Sequence, residues 1–108
     1  METAIKAIAH PGRRTILRLV WSTELTASEL AQRAGMSRPG ASQHLRLLRE
    51  VGLVRVRTDA NRRLYRVDHE RLHQLRAFLE EFWGARLELL KEVAERVPAL
   101  PITQATGK

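Results

Sequence analysis

The chain contains no cysteine. Disulfides and thiolate metal sites are thereby excluded, and the absence is compatible with a cytoplasmic home, where thiols stay reduced. No apolar run approaches the roughly 20 residues that a membrane span needs. The start, Met1-Glu2-Thr3-Ala4-Ile5-Lys6, lacks the basic region and apolar core of a signal peptide. Neither a membrane partner nor secretion is expected. There is no Gly-rich phosphate loop, no carboxylate pair, and no serine with an evident base and acid to activate it. An enzyme is not expected, and neither is a cofactor. Repeats and low-complexity tracts are also missing.

Acidic charge is scarce where it would be informative. The 108 residues are 44% hydrophobic and 29% charged, which suits one soluble globular domain with a modest core. Residues 1–67 hold 13 Lys/Arg against 5 Asp/Glu, whereas residues 68–108 hold 6 against 7. Within residues 33–66 there are 9 basic and 2 acidic residues. Basic charge concentrated in this way implies a polyanionic partner, with nucleic acid first and anionic membrane second.

Local signals divide the chain into helices, a hairpin and a long final helix. Thr3–Ala9 reads as a short helix with Ala4, Ile5 and Ile8 on one side. His10-Pro11-Gly12 breaks it, and Pro11 suits the first position of the next helix, which extends to about Ser22. Ser22 to Leu25 is a connection. Thr26-Ala27-Ser28-Glu29 fits a capping box, with the Thr26 hydroxyl and the Glu29 carboxylate each satisfying the other's backbone N–H. The helix it starts, about Ala27–Ala34, ends on Gly35, a natural left-handed terminus. Ser37 caps the next helix, which runs to about residue 50. Residues 27–50 therefore read as a helix-turn-helix. Residues 53–67 read as a hairpin, with a turn at Thr58-Asp59-Ala60-Asn61. Asp68 caps a helix over about 69–97, and residues 98–108 follow as a flexible tail.

The segment from Ser37 to Arg49 has two faces. Ala41, Leu45 and Leu48 are apolar. Arg38, Ser42, Gln43, Arg46 and Arg49 point elsewhere; all five carry donors and none is acidic. Arg and Gln make paired bonds to base edges in the major groove, so this is a candidate recognition helix. Ser42, Gln43 and Arg46 are expected near base edges, and Arg38 or His44 near phosphate or base. Ser37 and Gly40 complete this set; Gly40 either permits close approach of backbone or is a tolerated poor helix former. The hairpin adds Arg57, Arg62 and Arg63 as phosphate or minor-groove contacts. The final helix carries Leu75, Phe78, Leu79, Phe82, Leu89 and Val93 at spacings of three and four, with Trp83 beside them. At 1.5 Å per residue it would be about 43 Å long, wider than its own domain. A second copy is the expected cover, with Ile5 and Ile8 of the helix over 3–9 joining the interface.

Ala9-His10-Pro11 with Arg13 and Ile16-Leu17, then Met36-Ser37-Arg38-Pro39 with Ser42-Gln43-His44-Leu45 and Leu47-Leu48, followed by Gly52-Leu53-Val54, Arg63-Leu64-Tyr65 and Phe82-Trp83, resemble the ArsR/SmtB family of bacterial transcriptional repressors. The resemblance covers about residues 4–95. It implies a mostly α fold with a two-stranded β wing, the winged helix-turn-helix, in one domain over 1–97. It also implies a homodimer on double-stranded DNA at a pseudo-palindromic operator, released by an inducer. The stretch matching the family's cysteine motif, Leu25–Leu30, has no thiol. Asp68, His69 and His73 do not have the spacing of its second site, so no metal is expected. His69 and His73 are four apart on a helix; two solvated residues of a first turn is the simpler reading. Tyr65 is expected in the wing core.

Overall fold

A computed structural model describes residues 1–96. It contains α1 (Glu2–Ile8), α2 (Pro11–Leu19), α3 (Ala27–Ala34), α4 (Arg38–Glu50), β1 (Val54–Asp59), β2 (Arg62–Val67) and α5 (His69–Arg96). Met1–Leu75 forms one compact unit and the chain from Arg76 a second, with the boundary inside α5. The expected domain over 1–97 spans both units. Its last residue and the tail over 98–108 lie outside the described residues.

Helix ends are fixed by side chains chosen for the purpose. His10 caps α2, its Nδ1 accepting from the Gly12 N–H at 2.9 Å. The Thr26–Glu29 capping box is present in both directions, at 3.2 and 2.8 Å. Ser37 Oγ accepts from the Gly40 N–H at 3.1 Å, and a Cβ at Gly40 would stand 3.0 Å from that oxygen. Helices α3 and α4 finish alike. Gly35 (φ +69°) and Gly52 (φ +84°) are left-handed, and the following N–H groups, of Met36 and Leu53, reach back to the Ala31 and Leu48 carbonyls at 3.0 and 2.9 Å. That pattern closes the helix by a bond spanning six residues and needs a residue that tolerates positive φ. The exposed carbonyls ending α1 are met from α2. Arg13 Nη1 donates to the Lys6 and Ala7 carbonyls, and Arg14 Nη1 to those of Ile8 and Ala9.

Two boundaries differ from the sequence reading. Helix α2 stops at Leu19 rather than near Ser22, because the Val20 carbonyl accepts from Val67 of β2 instead of from a further helical N–H. The hairpin turn is shorter than expected. Thr58 and Asp59 pair with Arg63 and Arg62, leaving Ala60 and Asn61 as the loop. Ala60 takes a left-handed φ of +57° to close it.

The sheet is antiparallel, β1 beside β2. It gains a third member in the connection before α3. Leu25 and Tyr65 exchange both backbone bonds, at 3.1 and 2.8 Å. The core of the first unit includes Ile16, Val20, Leu30, Leu45, Leu48 and Leu53, all at most 1% exposed. On α1 the buried positions are Ala4 and Ala7, with Ile5 and Ile8 half-buried. Leu75, expected in a dimer contact, is 2% exposed in its own chain and belongs to this core. In the second unit Phe78, Phe82, Trp83 and Val93 are exposed and Leu79 is half-buried; the Leu89 side chain lies outside the described residues. The Phe82 and Trp83 rings meet edge to face at 5.4 Å.

Leu48 has no solvent exposure. Leu48→Ala should therefore cost about 2–5 kcal/mol of unfolding free energy, read from urea melts of the full chain.

Candidate nucleic-acid interface

Burying Ala41, Leu45 and Leu48 sets the rotation of α4. Arg38, Ser42, Arg46 and Arg49 then fall on one exposed stripe, at spacings of four, four and three. This stripe faces an open groove of about 530 Å³ between α4, the start of α3 and the wing. The wing contributes Asn61, Arg62, Arg63 and Tyr65 to its lining, and the start of α3 contributes Thr26, Ala27 and Ser28. Five arginines and no carboxylate line it. With no carboxylate in the lining, their positive potentials add; Glu29, outside the lining, interacts electrostatically with Arg62.

Several of these groups are held in place. Arg38 Nη1 donates to Ser28 Oγ at 2.6 Å, tying the first turn of α4 to that of α3. Tyr65 is buried as expected, and the Arg63 guanidinium lies 6.0 Å from its ring centroid, the outer limit of a cation–π contact. Sequence reasoning missed Ser28 and Asn61 as lining residues and left Arg49 off the candidate set. Only the groove shape brings Ser28 and Asn61 in, whereas Arg49 was visible at helical spacing from Arg46.

The remaining candidates are placed otherwise. Gln43 is exposed on α4 beside Ser42, outside the groove lining. Ser37 and Gly40 are committed to the helix cap. His44 turns toward the α1–α2 junction. Its ring lies 4.7 Å from that of His10, and its Nδ1 accepts from Arg13 Nε at 3.3 Å. Arg57 is on the other face of the wing, where Glu24 grips it with two bonds of 2.6 and 2.8 Å. In the α5 first turn, Asp68 Oδ1 accepts from the Arg71 N–H at 3.1 Å, as the cap reading requires. His69 Nε2 stands 2.8 Å from the Trp21 carbonyl. Among the described residues no group of three or more His, Cys, Asp or Glu could hold a metal ion, and no helix is long and apolar enough to cross a membrane.

This arrangement, a helix-turn-helix whose second helix shares a basic groove with a β hairpin, defines a winged helix-turn-helix regulator. The family described as Helix-turn-helix domain matches residues 8–57. A transcriptional regulator of Mycobacterium tuberculosis, Rv2034, is 38% identical over 86 residues, covering 80% of each chain. The arsenical resistance operon repressor of Staphylococcus xylosus is 31% identical over 80 residues, 74% of this chain and 77% of its own. A solved winged helix-turn-helix domain from Mycobacterium bovis, described as homodimeric and as a possible ArsR-family regulator, superposes with a TM-score of 0.64 at 31% identity, covering 81% of each chain. The chain belongs to the ArsR-type winged helix-turn-helix transcriptional regulators.

His44 carries a pH prediction. Burial, then His10 and Arg13 nearby, push its pKa below the ordinary 6.5. The folded state thus binds a proton less readily than the unfolded chain. Its contribution to stability is complete above 6.5 and is lost as pH falls through that value toward the lowered one. Urea midpoints should drop as pH falls below 6.5, and His44→Gln should flatten that drop.

Proposed function

We propose that the chain is a sequence-specific DNA-binding repressor that works as a homodimer in the cytoplasm. The observation that carries this reading is the groove between α4 and the wing, with five arginines and no carboxylate. A major groove about 12 Å wide admits a helix such as α4. Ser42 and Arg46, at the middle of the stripe, read base edges, with Gln43 beside them. Arg38, Arg49, Arg62 and Arg63 take phosphates and fix the register. His44 and Arg57 have no part in this set, because the first is turned inward and the second is paired.

One such helix reads half a site. The homodimeric Mycobacterium bovis neighbour and the exposed Phe78, Trp83 and Val93 of α5 support a second copy. Two recognition helices would then enter successive major grooves about 34–36 Å apart. Occupying an operator excludes the transcription machinery from it, which silences the gene.

Three measurements test this. Arg46→Ala should cost about 1–3 kcal/mol on a duplex selected by the protein from a random pool, and much less on a scrambled duplex. If some 6–10 phosphates are neutralised, affinity should fall roughly 10³–10⁵-fold between 50 and 200 mM salt; a flat response would exclude the groove as a phosphate surface. Phe78→Asp with Trp83→Asp should convert a dimer to a monomer in sedimentation while leaving the circular dichroism of the first unit's helices in place.

A further inference from the structure

The two faces of the wing are charged differently. Strand alternation puts Arg55 and Arg57 of β1 on the same face as Leu64 and Arg66 of β2, whereas Arg63 and Tyr65 look into the α4 groove. The outer face has its own open depression of about 490 Å³, in which Arg55, Arg57 and Arg66 are matched by Glu24, Asp68 and Glu70. The groove toward α4 has no such match.

Glu24 is the acid most firmly engaged. It precedes Leu25, whose backbone is bonded to Tyr65, so it is anchored at the edge of the sheet. From there its carboxylate reaches past β2 to β1 and takes Arg57 Nε and Nη2 at 2.6 and 2.8 Å. Leu64, opposite Arg57 in register, is only 6% exposed beneath this crossing. Asp68 stands farther from Arg55, at 3.9 Å.

We infer that Glu24 is a specificity-determining residue, which masks Arg57 and so confines the positive charge of the wing to the face that looks at α4. This rests on the DNA-binding reading above. A wing cationic on both faces would attract a polyanion in several orientations, and all but one would keep α4 out of the groove. Non-specific binding is almost wholly electrostatic, whereas specific binding adds base contacts, so unmasked charge favours the wrong mode more than the right one. The pair is suited to the task because it stays ionised. The bond from Arg57 holds the Glu24 carboxyl below its usual range, and Glu24 in turn raises Arg57. The geometry is bidentate, with Nε and Nη2 both committed to the carboxylate.

The test measures binding of the full chain to two duplexes, one enriched by the wild-type protein from a random pool and one a scramble of it, across a salt series. Glu24→Gln should bind the scramble more tightly and steepen its log–log salt slope by about 0.9, the value for one added phosphate contact. The enriched duplex should gain less, so discrimination falls. Arg57→Gln should weaken binding to the scramble, and the double variant should return it to the wild-type slope. Glu2→Gln on α1 makes the same charge change away from the wing and should do neither. An unchanged Glu24→Gln slope overturns the inference, as does an equal effect of Glu2→Gln. A purely structural brace would show weaker binding to both duplexes with no recovery in the double variant, which also overturns it. Failure of the underlying function looks different: the wild-type protein would enrich no sequence, and the salt slopes on an arbitrary duplex of the same length would then decide the masking.

Discussion

The basic groove depends on burying three side chains of α4. Ala41, Leu45 and Leu48 are at most 1% exposed, and no other rotation of that helix would bury them. Their burial turns Arg38, Ser42, Arg46 and Arg49 outward as one stripe. The hydrophobic effect has no direction of its own, yet it acts here as an aiming device, because a helix with one apolar side has only one orientation against a core. The glycine-closed ends of α3 and α4 hold that orientation, since they fix where the chain enters and leaves the reading helix.

How much was legible in the sequence followed the range of the interactions concerned. The Thr26–Glu29 box, the Gly35 terminus and the Asp68 cap lie within a few residues of their partners, and local chemistry announces them. The stripe on α4 was readable because helical spacing is regular. The turn of the hairpin was drawn too long because Thr58 and Asp59 favour turns locally, while cross-strand pairing with Arg63 and Arg62 extends them instead. What stayed hidden spans distance: Leu25 with Tyr65, Glu24 with Arg57 at 33 residues' separation, and Arg13 with His44 at 31. Composition treats all arginines alike, and only the fold separates those left free from those already engaged.

That separation is the main chemical finding about the surface. The chain has 19 basic residues, but their roles divide. Arg13 and Arg14 close the end of α1, Arg71 donates to the Val51 carbonyl beside Gly52, and Arg57 is held by Glu24. The arginines of the α4 groove have no acid among them. Net charge alone would have overstated the surface available to a polyanion.

The backbone bonds at Leu25 have a consequence for how the molecule comes apart. A two-stranded hairpin on its own is marginal in water. This one is joined to the core at Tyr65 through Leu25 and at Val67 through the Val20 carbonyl. Opening β2 therefore requires breaking bonds to Leu25 and Val20, both buried in the core. The wing should therefore melt with the body rather than before it, and the amide of Tyr65 should exchange with solvent only when the first unit unfolds as a whole. An appendage drawn as a flap is, in cooperative terms, part of the trunk.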